Sequence, residues 1–173
     1  MGSRRGDDSF LGRNYPLAAK FATQALAVEP RRERALYWLG YTYEQQGDFA
    51  RALAEYAKAD PSEDVHGIML AAMGRSYALS GKVAEARQVE ARLREESSHA
   101  YIWPYDFALF YSAMGRNDLA FRWLETCYLN HDSWLIVMKE DPRLDNLHSD
   151  PRFAALVRRI ELRGREAVVE RQQ

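Results

Sequence analysis

The chain has 173 residues, 47% of them hydrophobic and 28% charged, a balance that suits one soluble domain able to bury a continuous core and excludes wholesale disorder. Twenty-four basic against twenty-five acidic residues leave a formal net charge of -1, which offers no bulk attraction to nucleic acid or to an anionic membrane surface. Apolar runs such as Leu135 to Met138 fall far short of the ~20 residues that cross a bilayer, and the single cysteine, Cys127, suits a reducing cytoplasm because it forms no internal disulfide.

Residues 1–13 lack the apolar stretch of a secretory signal and read as a leader or an appended remnant. From 14 to 30 comes a single helix, Tyr15 to Val28, with Ala18, Ala22 and Ala25 on one face and Pro30 after its end. The first full unit covers about 33–62. In Glu33 to Gln46, Leu36, Leu39, Gly40 and Tyr43 stand at three- and four-residue spacing, the mark of one buried helical face. Gly47 stops that helix in the left-handed conformation that glycine adopts cheaply, and Asp48 caps a second helix whose buried face is Phe49, Ala52, Leu53, Tyr56 and Ala59. Pro61 shortens it. The plan recurs at 66–98, with helices His66 to Ser80 and Val83 to Glu96, and at 101–130, with Trp103 to Met114 and Asn117 to Asn130. Pro104 fits the first turn, where its missing N–H is not needed.

Residues 131–163 read as capping helices. Asp132-Ser133 opens a short apolar helix from Trp134 to Lys139, which Asp141-Pro142 ends, because the residue before proline avoids helical geometry. Asp150-Pro151 opens another, with Phe153, Leu156, Val157 and Ile160 on one face, and 164–173 forms a tail.

The three units are in register at a fixed period of 34 residues. Gly47, Gly81 and Gly115 keep it, as do Tyr43, Tyr77 and Tyr111, and Ala52, Ala86 and Ala120. So do Leu39, Met73 and Phe107, and a fifth column, Gly40, Gly74 and Ala108, admits nothing larger than a methyl group. Small residues there let the two helices of a unit approach closely, so the expected fold is all-α, a series of antiparallel helix pairs. Leu36-x2-Leu39-Gly40-x2-Tyr43 followed by Ala52-x3-Tyr56 resembles the tetratricopeptide repeat, and Leu70-x2-Met73-Gly74-x2-Tyr77 and Phe107-Ala108-x2-Tyr111 resemble it nearly as well. Leu36 stands where that family prefers tryptophan, and Trp38 lies off that register. The resemblance covers 14–130 and implies a right-handed superhelical solenoid with a C-terminal capping helix.

Within such a solenoid, 14–30 is a half repeat whose outer face, carrying Leu17, Phe21, Phe10 and Leu11, lacks a preceding partner. The expectation is either that the chain is a fragment of a longer protein or that it self-associates through this end. The stretch Asp141-Pro142-Arg143-Leu144 through Ser149-Asp150-Pro151-Arg152-Phe153 resembles the ending of tetratricopeptide regions in bacterial multidomain signalling proteins, which follow an output domain such as a kinase, a nucleotide cyclase or a winged-helix regulator.

Catalytic, metal and cofactor signatures are missing from the pattern. His66, His99, His131 and His148 match no metal-binding helix, Asp141, Asp145 and Asp150 lack a calcium-loop glycine, and every informative glycine belongs to the repeat. No cofactor is expected. Cys127 shares the column of Ala59 and Leu93 and reads as a buried small hydrophobe; an enzymatic reading would need it to meet His131, four residues on. The expected function is binding, not catalysis, by a protein-interaction scaffold, with a sensor of a small ligand or of the chain's own output domain as the alternative. The family's inner groove is lined by the first helix of each pair, which implies a partner surface of Arg34, Tyr37, Tyr41, Glu44 and Gln45, then Ile68, Arg75 and Leu79, then Ile102, Tyr105, Leu109 and Ser112. Tyr37 and Tyr41 stand where carboxylate-clamping members carry lysine and asparagine, so an extended peptide or helix of modest charge is the expected occupant.

Overall fold

A computed structural model describes residues 13–60, 64 and 66–170, the side chains of 165–170 excepted. Phe10, Leu11 and Pro61 lie outside the described residues. In chain order the helices are α1 (Tyr15–Val28), α2 (Glu33–Gln45), α3 (Phe49–Tyr56), α4 (Ile68–Leu79), α5 (Val83–Glu96), α6 (Pro104–Ala113) and α7 (Asn117–Leu129). Two 3-10 helices, η1 (Ser133–Val137) and η2 (Pro142–Leu147), precede α8 (Pro151–Glu170). Among the described residues there is no strand, and the helices pack as successive pairs, α2 on α3, α4 on α5 and α6 on α7, in the manner of a tetratricopeptide solenoid. None of these helices is long and apolar enough to cross a membrane.

The fixed columns explain the packing. A methyl group added at Gly40 would meet the Tyr56 ring at 2.5 Å, and one at Gly74 would meet Val89 at 2.6 Å and Phe110 at 2.8 Å. Glycine there lets the paired helices close. Each unit turns from its first helix to its second through a left-handed glycine, Gly47, Gly81 or Gly115, and the amide that follows donates back to the repeating tyrosine's carbonyl: Asp48 to Tyr43, Lys82 to Tyr77 and Arg116 to Tyr111, each at 2.9 Å. Only the second helix of the first unit has an acidic cap here, with the Asp48 carboxylate accepting from Arg51 N at 3.0 Å, whereas Lys82 and Arg116 give no side-chain cap.

Three local details depart from the expected pattern. The helix expected from His66 begins at Ile68, because Gly67 takes φ +64 and an added methyl group would strike Ile102 at 2.8 Å; Asp64 instead caps α4, accepting from Met69 N and Leu70 N. Past Asp141, between the two capping helices expected in 131–163, the chain winds a further 3-10 helix, η2. Finally α8 runs to Glu170, well into the 164–173 segment expected to be a tail. Its face of Phe153 and Leu156 closes the core on α7, held at the surface by Arg159 on Glu125 and Arg152 on Asp118.

Candidate functional site

The inner helices α2, α4 and α6 stack side by side, and η2 packs against them on α6. Arg143 is the residue that carries η2 across this face. It pairs with Asp141, donating from Nε to Oδ1 at 2.8 Å; it donates to the Tyr37 hydroxyl; and its guanidinium lies 5.5 Å from the Tyr41 ring and 5.8 Å from the Tyr105 ring. Tyr105 Oη donates to Asp141 Oδ2 at 2.8 Å. Further along η2, Ser112 Oγ donates to Asn146 Oδ1 at 2.7 Å, and Asn146 Nδ2 returns a bond to the Ser112 carbonyl at 3.1 Å. Arg13, just before α1, forks onto Asp145 at 2.8 Å.

Two buried ion pairs sit at the centre of this face. Burial pushes the Asp141 carboxyl up, but the Arg143 guanidinium, the Arg143 backbone amide and the Tyr105 hydroxyl outweigh it and hold the group below its ordinary range. Glu44 and Arg75, both buried, approach to 2.9 Å, and Ser76 Oγ donates to Glu44 at 2.7 Å. Burial lifts the phenols of Tyr37 and Tyr41 above their usual value, so both stay neutral.

On one side of Arg143 lies a pocket of about 300 Å³ at the N-terminal ends of the inner helices. Helix α2 contributes Glu33, Arg34, Tyr37 and Trp38; the entry to α4 gives His66, Ile68 and Met69; α6 gives Trp103, Tyr105 and Asp106; and η1 gives Trp134. Trp134 stacks on Tyr105 with centroids 6.1 Å apart, and His66 meets the Trp103 ring edge-on at 5.6 Å while its Nδ1 lies 3.1 Å from the Tyr101 carbonyl. The Asp106 carboxyl is pushed up to about 7, first by burial and then by Asp64 and Asp132, with Arg143 and Arg75 pulling the other way. On the other side of Arg143 a second depression, of about 580 Å³, is walled by Glu44, Gln45, Arg75, Leu79, Ser112 and Asn146 among others.

The twelve residues expected to line one groove are therefore parted. Arg34, Tyr37, Ile68 and Tyr105 line the aromatic pocket; Glu44, Gln45, Arg75, Leu79 and Ser112 border the second depression. Tyr41, Ile102 and Leu109 line neither and are 0%, 6% and 3% exposed, packed into the cores beneath. Sequence reasoning passed over Trp38, Trp103, Asp106, Trp134 and Arg143. Trp38 gave a signal, since its place off the packed register is what turns it toward the pocket; Arg143 gave none, because its contacts with α2 span over a hundred residues.

Cys127 is fully buried, and its thiol is raised by that burial and by Asp132. Helix α7 stops at Leu129, His131 turns to φ +57, and its Nδ1 lies 3.3 Å from Arg163 Nη1, so no thiol–imidazole pair forms among the described residues. Nor do His, Cys, Asp and Glu gather into a metal-binding group among the described residues.

Residues 33–60, the α2–α3 unit, match the family of the tetratricopeptide repeat. The chain is also similar to a protein of Hordeum vulgare named "Probable UDP-N-acetylglucosamine--peptide N-acetylglucosaminyltransferase SPINDLY", with 31% identity over 113 residues, 61% of this chain. It spans 12% of that relative's length. The transferase activity in that name belongs to the relative; the repeat fold itself is a non-catalytic scaffold whose general use is protein–protein interaction.

Proposed function

We propose that this chain is a protein-interaction module of a larger signalling or regulatory protein, working in the cytoplasm and taking a peptide or protein partner on its concave side at the aromatic pocket. The observation that carries this reading is the division of the concave face by Arg143, which leaves a cavity walled by Trp38, Trp103 and Trp134 with Tyr37 and Tyr105. Tryptophan and tyrosine are the side chains that most often dominate binding energy, and a partner anchored there needs only one or two side chains in the cavity. A long peptide lying along the whole groove is disfavoured, because η2 lies across it. The runner-up, a sensor of a small ligand, draws on the same cavity, whose volume lies at the small end of ligand pockets.

The test is a peptide-library selection against the full chain, with each selected peptide measured again on Trp103→Ala and Trp134→Ala. Both tryptophans are partly exposed, unlike the packed Tyr41, so their removal should disturb the helix pairs less than a core substitution. Affinity should fall at least ten-fold with the helical melting curve held. Peptides that bind both variants as tightly as the parent would overturn the assignment.

A further inference from the structure

We infer that the aromatic pocket is built for a basic side chain of the partner, a lysine whose apolar stem lies along the tryptophan walls and whose ammonium meets the Asp106 carboxylate. The inference rests on the concave-face reading above and adds the chemistry of the anchor.

Two carboxylates close to the pocket are committed. Asp64 caps α4 through Met69 N and Leu70 N, and Asp141 is held by Arg143 and Tyr105. Asp106 lines the cavity, yet no described residue donates a hydrogen bond to its side chain or forms an ion pair with it, its own helix included. An acid in the first turn of a helix is usually explained by the backbone amides nearby. Here no described amide or side chain bonds the Asp106 carboxylate, so no donor on the chain meets its charge directly. A cation entering the cavity would.

The walls suit the same guest. Trp38, Trp103 and Trp134 line the cavity, and indole rings both attract cations and pack against methylenes. Arg143, the arginine that η2 brings to the lining, is already paired with Asp141, which leaves Asp106 open to a cation from a partner. A carboxylate on the lining of a cavity of about 300 Å³ matches the compact ammonium of lysine. An anionic guest would face Asp106 at close range.

The experiment titrates the full chain with three blocked tripeptides, Ac-Gly-Lys-Gly-amide and its norleucine and glutamate counterparts, following tryptophan fluorescence and the indole resonances of Trp103 and Trp134. The lysine peptide should shift both resonances and bind at least ten-fold more tightly than norleucine, and Asp106→Asn should bring lysine down to the norleucine level. Norleucine binding to that variant reports that its pocket is still formed. Between pH 6 and pH 8 the lysine peptide should tighten roughly ten-fold on the parent, as Asp106 ionises in the field of Arg143, Arg75, Asp64 and Asp132 and beside Glu33, Arg34 and His66; with Asp106→Asn that rise should shrink. Equal binding of lysine and norleucine, preference for glutamate, no binding of any of the three, or indifference to Asp106→Asn overturns the inference. If library-selected peptides still depend on Trp103 while lacking a required basic residue, the cation assignment falls and the concave-face reading stands; if they ignore Trp103, that reading falls first.

Discussion

Arg143→Met keeps most of the side chain's length but removes the guanidinium that faces Asp141, and the consequence can be worked from burial. Asp141 is 0% exposed. Without Arg143 its remaining donors are the Tyr105 hydroxyl and the backbone amide of residue 143. The variant can escape a buried bare charge by protonating the carboxyl, at a cost of about 1.4 kcal/mol for each pH unit above the ordinary value of 3.8. That ceiling is about 4.4 kcal/mol at pH 7, in line with the ~3–5 kcal/mol typical of a broken buried pair, and about 1.6 kcal/mol at pH 5. In a chain of this size each kcal/mol moves the melting temperature by about 2–4 °C, so the loss should be roughly 9–18 °C at pH 7 and 3–6 °C at pH 5. The sign follows from the two folded states. In the parent the Asp141 value is depressed, so its contribution is present above 3.8 and disappears as pH falls through the lower folded value. In the variant the value is raised, and stability is lost as pH climbs through it. The gap between the two proteins must therefore widen with pH. Circular dichroism melts at both pH values, with Asp141→Asn/Arg143→Met as the partner that relieves the stranded charge, check this. A gap below about 1 kcal/mol at pH 7, or one equal at pH 5 and 7, would show that Asp141 is solvated and that Arg143 does not hold η2 on the concave face.

Three further outcomes follow from single positions. Gly40→Ala places a methyl group 2.5 Å from the Tyr56 ring and should cost about 1–3 kcal/mol in urea unfolding, with Tyr56→Leu recovering part of it; a neutral Gly40→Ala would show that α2 and α3 are not tightly closed. Because burial raises the folded-state value of Asp106 to about 7, its ionised form weakens the fold as pH rises from 3.8 through 7, so Asp106→Asn should be more stable than the parent at pH 8, by on the order of 2 kcal/mol, and equal to it at pH 4; a variant less stable at pH 8 would mean that the carboxylate has a partner. On α1, Leu17 and Val28 are 37% and 88% exposed, and self-association through that helix predicts a concentration-dependent dimer in sedimentation that Leu17→Asp returns to monomer, whereas a strictly monomeric parent at high concentration refutes it.

What the sequence by itself determined is whatever repeats or acts locally. The paired helices, the left-handed glycines at 47, 81 and 115, and the small column that admits Tyr56 and Phe110 depend on neighbours within one unit, so a period of 34 residues exposes them. Capping by Asp48 and Asp141 is local too. The tertiary structure alone decided the shape of the concave face. Nothing periodic marks η2, and Arg143 reads in sequence as one more surface charge until it meets Tyr37, 106 residues away, beside a carboxylate that is local to it. Likewise Tyr41 and Leu109 share a helical column with Arg75, and helix geometry places all three toward the inside; only the stacking of units and the crossing of η2 determine which of them still reaches a cavity. A residue's face follows from its own helix, but its exposure depends on what the rest of the chain lays over that face.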